Sequence, residues 1–386
     1  MTLAAVVMGV AGIILTGGFV QDIIYQLGEA IIHSQTGHLQ IAKSEFFGSG
    51  SRRPEAFLID KPEQLKKPIA GDPAVTLTMA RLNFQGLLNN GRSDFGIVGE
   101  GVEANAEAKL GSFVHYFDGR ALADTDHFGI ALGEGVAKAL KLAAGDSVTL
   151  VANTPEGAMN TLDLQVVGVF RSFSKDYDAR TVRITLASAQ DLIGTAGVNV
   201  IVAALNKSAD TEASAARLGP VAKQAGLELR KWTELSDFYF KAVEMYERQF
   251  GVLQLIVLVM VLLSVTNTVN MTVFERQGEF GTVRALGNRN LQVFVMVLIE
   301  SLLLGLIGAV LGMVLGLAIA ALIGVIGIPM PPPPNSNVGY TAYVRVVPSI
   351  VLNAAFVGIA AAFVASLLPG WRVSRTPIVD ALRHNV

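Results

Sequence analysis

The chain has 386 residues, 51% hydrophobic and only 16% charged, with 30 Lys and Arg against 32 Asp and Glu. A net charge near zero lacks the concentrated cations that nucleic-acid binding needs to displace phosphate counterions, and the absence of cysteine excludes thiolate metal sites, cysteine nucleophiles and disulfides. Long apolar runs at both ends flank a middle region of ordinary soluble composition, the balance expected of a membrane protein.

A hydrocarbon core about 30 Å thick requires about 20 apolar residues of helix. Four uncharged stretches meet that need, at residues 3–20, 249–274, 291–328 and 346–369. None alternates as a barrel strand does, so helices are predicted, because a helix satisfies its own backbone in lipid. The first stretch also admits reading as a signal peptide, although no basic residue precedes it and no small-residue cleavage site follows. The missing basic residues leave open that the natural start lies upstream. After it, Ile23, Ile24, Leu27, Ile31 and Ile32 continue a helical apolar stripe, so this helix is expected to extend past the membrane as a stalk.

Residues 37–232 alternate β-rich runs with amphipathic stretches and predict a mixed α/β domain. Strands are expected at 38–42, 75–82, 147–152, 162–170, 181–186 and 198–203, and helices at 133–142, 187–193 and 210–225. Gly145-Asp146 and Asn153-Thr154-Pro155-Glu156-Gly157 supply turns. The Gly-rich stretch 96–101 suggests a boundary between two subdomains. Residues 238–250 contain no Pro or Gly and are expected to run as helix into the second span. Ordinary packing of short flanking helices is the competing reading at both junctions.

Basic residues mark the cytoplasmic side: Arg276, Arg284 and Arg289 lie between spans two and three, and Arg372, Arg375 and Arg383 follow span four. Both termini are then expected in the cytoplasm and the large domain outside, with Arg345 the main exception. The expected fold is an α-helical membrane protein with four transmembrane helices plus a mixed α/β extracytoplasmic domain inserted between helices 1 and 2. Its parts are residues 1–33 (first span and stalk), 34–236 (outer domain) and 237–386 (the other spans, a cytoplasmic helix at about 275–289, and a cytoplasmic tail).

The segment Glu275-Arg276-Gln277-Gly278-Glu279-Phe280-Gly281-Thr282-Val283-Arg284-Ala285-Leu286-Gly287 resembles the E-R-x-x-E-[IF]-G-x-x-R-A-[LI]-G signature of ABC transporter permeases of the MacB, LolC/LolE and FtsX group, the type VII or mechanotransmission family. The ending Pro369-Gly370-Trp371-Arg372-Val373-Ser374-Arg375-Thr376-Pro377-Ile378-Val379-Asp380-Ala381-Leu382-Arg383 is similar to that group's P-x-x-R-x-[AS]-R-x-x-P-[IV]-x-A-L-R. Leu132-Gly133-Glu134-Gly135-Val136-Ala137 and Gly145-Asp146-Ser147-Val148 carry a weaker likeness. The resemblance covers essentially the whole chain, including its plan of one span, a large outer domain and three more spans.

It implies a bacterial inner-membrane subunit that couples ATP hydrolysis to movement of a periplasmic domain. Glu275, Arg276, Glu279, Phe280, Thr282, Val283, Arg284 and Leu286 are the expected ATPase-coupling residues. Val283, Leu286 and Phe280 are read as seated in a partner's groove, with Arg276, Glu279 and Arg284 at its rim; the alternative is that these charges only hold the loop at the lipid interface. The sequence has no G-x-x-x-x-G-K-[ST] loop to cradle phosphates. The chain is therefore expected to be non-catalytic and to bind no cofactor, with ATP and Mg in a separate P-loop ATPase, unlike MacB, where the two are fused. Other expected partners are a second permease copy or paralogue and a periplasmic adaptor or carrier. The resemblance suggests extraction or export of lipoprotein or another amphiphile, with drug or peptide efflux, or FtsX-like signalling to a cell-wall hydrolase, as alternatives. In LolC an extended loop receives a soluble carrier; the comparable stretch here, residues 170–181, is short.

Gly308, Gly312 and Gly316 recur every fourth residue and give one flat helix face for close packing. Ser264, Asn267 and Asn270, with Thr266 and Thr268, need polar partners in the membrane and mark a dimer seam or substrate-facing cleft. Glu300, inside span three, is read as snorkelling or paired near the cytoplasmic surface. His33 and His38 do not share a helical face and are read as polar contacts near the stalk. Asp124, Asp126 and His127 are read as a solvated loop rather than a metal site. Neither a G-x-S-x-G elbow nor an H-E-x-x-H helix occurs. Pro331 to Pro334 predict a stiff outer loop.

Overall fold

The computed structural model of the chain describes residues 2–378 apart from 49, 51, 52, 112, 333, 334, 337 and 338. In chain order, helix α1 (Thr2–Ile31) passes through a π-turn (Ile32–Thr36) to β1 (Leu39–Lys43), α2 (Pro62–Ala70), β2 (Val75–Asn89), β3 (Asp94–Val102), α3 (Ala104–Leu110), β4 (His115–Gly119) and β5 (Gly129–Gly133). There follow α4 (Glu134–Leu140), β6 (Ser147–Asn153), β7 (Met159–Arg171), α5 (Lys175–Asp178), β8 (Thr181–Thr185), α6 (Leu186–Ile193), β9 (Val200–Leu205), α7 (Thr211–Gln224), β10 (Leu227–Lys231) and α8 (Trp232–Leu235). The chain continues as α9 (Asp237–Glu275), α10 (Gln277–Ala285), α11 (Asn290–Ile326), the short strands β11 (Ile328–Met330) and β12 (Tyr340–Ala342), and α12 (Pro348–Arg375). Two compact units result, one of residues 1–25, 242–330 and 341–386, the other of residues 26–241 and 331–340.

In the first unit α1, α9, α11 and α12 are each long and apolar enough to cross a membrane. Helix α9 has 39 residues, a length of about 58 Å at about 1.5 Å per residue, against a hydrocarbon core of about 30 Å. It therefore continues well beyond lipid, and no break separates residues 238–250 from the apolar window. The helices meet through small residues. A Cβ on Gly312 would lie 2.8 Å from the Val10 Cβ, one on Gly308 2.9 Å from the Val6 Cβ, and one on Gly316 3.2 Å from the Ala11 Cα. All three glycines thus face α1, where side chains would hold the backbones apart. Val6, Val10, Ile13, Ile14, Val261, Val265, Val269, Ala354 and Ala361 fill the interior, while Leu255, Leu263, Leu303, Val314 and Phe356 are exposed, as lipid-facing side chains are.

The second unit holds one ten-stranded sheet in the order β10-β1-β9-β2-β3-β8-β5-β7-β4, with β6 pairing β2 and β7. Strands β3 with β8 and β5 with β7 run parallel. Strand β9 is apolar and buried throughout, as a central strand covered on both faces must be, whereas β6 alternates buried and open positions. Gly157, in the turn joining β6 to β7, takes φ +86°, a conformation glycine adopts without a Cβ penalty.

The six expected strands and three expected helices all occur, with shifted ends, and β3, β4, β5 and β10 join them. The subdomain boundary expected at residues 96–101 is corrected: that stretch lies within β3, paired with β2 on one side and β8 on the other. Its glycines serve packing. A Cβ on Gly99 would meet the Phe84 ring at 2.1 Å, and one on Gly101 would meet the Ala189 Cβ at 2.2 Å. The interior still divides into separate clusters, one around Leu82, Ile130, Leu150 and Ile184 and another around Leu39, Ile201 and Leu218. Residues 170–181, compared above with a carrier-binding loop, hold the end of β7, the single turn α5 and the start of β8. Of the Pro331–Pro334 run, Pro333 and Pro334 lie outside the described residues, as do Arg383 and the rest of the ending motif after Ile378.

Candidate functional site

The segment after α9 turns at Arg276, whose backbone (φ −98°, ψ 11°) leaves the helical region, and re-forms as α10 over nine residues. Gly287, at φ +103°, ends the motif, and the Arg289 N–H donates to Gln292 Oε1 at 2.7 Å to start α11. The conspicuous glycine of the signature is thus a turn requirement.

Arg276 organises the polar side of this segment. Its Nε donates to Glu279 at 2.9 Å and its Nη1 to both oxygens of Glu300, each at 2.9 Å, while the guanidinium lies 5.4 Å from the centre of the Phe280 ring. The Glu279 carboxylate, with Glu300 beside it, raises the arginine's already high pKa, so its charge is fixed. Glu300, an acid on an apolar helix, is therefore paired. Arg284 donates to the Thr376 carbonyl after α12, and the Thr282 hydroxyl to the Gly278 carbonyl at 2.9 Å.

Two of the residues assigned to a partner's groove face the chain's own helices instead. Phe280 is buried and Val283 packs partly buried against the same cluster, which includes Val269, Val293 and Val373. The sequence pattern could not separate these roles, because Phe280, Val283 and Leu286 are spaced as one apolar stripe would be. Glu279, Thr282 and Leu286 point outward at intervals of three and four, so they form one stripe on α10 and its C-terminal cap; Glu275, also exposed, ends α9 before the turn at Arg276. Leu286 is 83% exposed.

The polar residues of span two stand apart from this site. Val261, Val265 and Val269 form the buried face of α9, Ser264 and Asn267 are exposed and Asn270 is half-buried, and no hydrogen bond of these three polar side chains occurs among the described residues. Thr266 donates to the Ala365 carbonyl at 3.3 Å.

In the second unit, His33 Nδ1 meets the Leu110 carbonyl at 3.0 Å. His38 Nδ1 accepts the Leu205 N–H at 3.1 Å, so Nε2 carries the proton toward Ser208 Oγ, also at 3.1 Å. Burial, with His33 beside it, lowers the His38 pKa to about 4. Asp126 pairs with Arg120 at 2.6 Å. Among the described residues no group of three or more His, Cys, Asp or Glu side chains is placed to hold a metal.

Sequence reasoning missed a buried set of charges: Arg81 with Glu107, and Arg183 with Glu100 and Tyr177. The signal was present, since Arg81 and Arg183 interrupt the apolar strands Met79-Ala80-Arg81-Leu82 and Val182-Arg183-Ile184.

The family pattern described as MacB-like periplasmic core domain matches residues 1–221, more than half of the chain, and that described as FtsX-like permease C-terminal matches residues 251–378, which contain the coupling segment. This chain belongs to the MacB/LolC–LolE/FtsX family of ABC transporter permeases. The lipoprotein-releasing system transmembrane protein LolC of Neisseria meningitidis is 24% identical to the permease over 408 residues, covering 99% of this chain and 93% of that protein. LolE of Haemophilus influenzae is 22% identical over 59% of this chain and 56% of that protein. Among solved structures, the periplasmic region of MacB from Actinobacillus actinomycetemcomitans matches 53% of this chain and 93% of that one, at 14% identity and a TM-score of 0.39. The permease is thus an inner-membrane protein with a periplasmic domain, and its family implies an ATPase partner.

Proposed function

We propose that two permease chains, identical or related, work with a separate ATPase that holds ATP and Mg, and that nucleotide-driven closure of the ATPase moves the periplasmic domain to extract or export lipoprotein or another amphiphile. The observation that carries this reading is the outward stripe Glu279, Thr282 and Leu286, with Glu275 exposed just before the turn. A carboxylate at one end and an apolar anchor at the other, on a short helix fixed by the Arg276–Glu300 and Arg284–Thr376 contacts, suit a groove with an apolar pocket and a basic rim. The arginines beside α10 and in the last turn of α12 support a cytoplasmic position for this segment and for both termini. Ser264, Asn267 and Asn270 supply the polar seam for the second permease, because amides left facing lipid lack partners. The likeness to LolC over nearly the whole chain favours lipoprotein as cargo over drug or peptide efflux, and an outer domain of this size favours transport over signalling to a hydrolase.

Burying a leucine contributes about 1.5–3 kcal/mol, so Leu286→Ala is expected to weaken retention of the ATPase roughly 10- to 100-fold on co-purification in mild detergent. Glu279→Ala should act in the same direction with a smaller effect. Undiminished retention by Leu286→Ala, with normal membrane insertion, would remove this stripe from the interface. Co-purified lipid-modified protein supports extraction, whereas a periplasmic adaptor or a hydrolase would redirect the reading.

A further inference from the structure

The last carbonyls of a helix have no partners within it and carry partial negative charge. Where α1 ends in the π-turn, two of them are taken by buried arginines of the sheet: Arg183 Nη2 donates to the Ser34 carbonyl at 3.1 Å, and Arg81 Nη1 donates to the Gln35 carbonyl. Each arginine is held from behind. Arg81, in β2, donates through Nε and Nη2 to the two oxygens of Glu107 in α3. Arg183, in β8, donates to Glu100 at 3.1 Å and to the Tyr177 hydroxyl at 2.8 Å, and Tyr177 in turn donates to Glu100. Glu100 lies in β3 directly opposite Arg183 in the strand register, and β3 joins β2 to β8, so both grips load one hydrogen-bonded ladder.

The four charged residues balance, and each is at most 9% exposed. A buried ion network is weak evidence for stability, because apolar side chains of similar volume serve as well or better, so its arrangement calls for another explanation. The turn it grips is irregular. π-Turns are frequent at functional sites, and Ser34 Oγ and Gln35 Nε2, on the two residues whose carbonyls are held, are buried with no hydrogen-bond partner among the described residues. A cavity of about 150 Å³, lined in part by Glu107, Tyr116 and Arg183, adjoins the network.

We propose that Arg81 and Arg183 are positioning residues that bolt the end of α1 to β2 and β8, so that axial movement of the helix reaches the sheet instead of being absorbed in the π-turn. The inference rests on the mechanical reading above and deepens it by naming where force enters the periplasmic domain. Replacing whole ion pairs by apolar residues, Arg81→Met with Glu107→Leu and Arg183→Met with Glu100→Leu, leaves no charge stranded.

The test is hydrogen exchange of the full permease–ATPase complex in nanodiscs, without nucleotide and with ATP and vanadate. In the parent, nucleotide is expected to change exchange in peptides of both α10 and the sheet. In the paired variants the α10 response and the ATPase rate should persist while the sheet response is lost. Arg81→Lys and Arg183→Lys, which keep the charge but remove donor arms, replace any apolar pair that does not fold, with the same expected loss. A variant whose sheet exchanges faster overall yet still responds to nucleotide would show a merely structural role and overturn the bolt alone. A parent in which the sheet never responds would overturn the mechanical reading together with it.

Discussion

Replacing Gly312 by alanine places a Cβ 2.8 Å from the Val10 Cβ and 2.9 Å from the Val7 carbonyl oxygen, closer than such atoms approach, so α1 or α11 must shift. Overpacking of this kind costs about 1–3 kcal/mol. Alanine recovers about 0.5–1 kcal/mol through its helix preference. The net loss is then up to about 2.5 kcal/mol, a factor of up to about 70 in the unfolding equilibrium. Gly324 supplies the control on the same helix, because a Cβ there meets nothing within 4 Å and Gly324→Ala keeps only the helix-propensity gain. Reversible unfolding in mixed micelles, read by protease susceptibility, should therefore separate the two variants in opposite directions from the parent. A Gly312→Ala permease stabilised as much as the Gly324→Ala control would refute the close approach of α1 and α11.

Two further outcomes follow from the ionisable groups. His38, with its pKa lowered to about 4 against about 6.5 in an unfolded chain, binds its proton more weakly when folded. Its neutral form contributes fully above about pH 6.5, and as pH falls toward 4 the periplasmic domain should lose up to about 3 kcal/mol; chemical denaturation of the full chain across that range should show the loss, and His38→Gln should flatten it. Glu300→Gln removes the charge facing Arg276 while keeping an acceptor, and both side chains are partly exposed, at 43% and 31%. A decrease in stability of about 1 kcal/mol or less is expected, with weaker ATPase retention because α10 loses its tie to α11; unchanged retention would show that Glu279 alone fixes Arg276.

What could be read beforehand was what composition and period encode directly. The four apolar runs announced helices because lipid demands length, and residues 238–250 announced a continuation because nothing in them breaks a helix. Strand β3 was hidden because Asp94-Phe95-Gly96-Ile97-Val98-Gly99-Glu100-Gly101-Val102 has five residue positions without strand preference, and Gly99 and Gly101 answer to Phe84 and Ala189, which only the tertiary structure brings near. The orientation of α10 was hidden for a related reason. Period alone could not tell which apolar residues turn toward the chain's own helices, so Phe280 and Val283 were grouped with Leu286, although only Leu286 faces outward. The arginine grips on Ser34 and Gln35 join residues more than 40 positions apart through backbone carbonyls, which leave no trace in side-chain pattern.

The central claim, that the stripe on α10 and the periplasmic sheet lie on opposite sides of one membrane, is open to a direct measurement because these 386 residues contain no cysteine. Leu286→Cys and Met159→Cys place single thiols at residues 83% and 78% exposed. With a membrane-impermeant maleimide applied to intact spheroplasts, Met159→Cys should be labelled and Leu286→Cys protected until the membrane is opened. Labelling of both from outside would contradict the account.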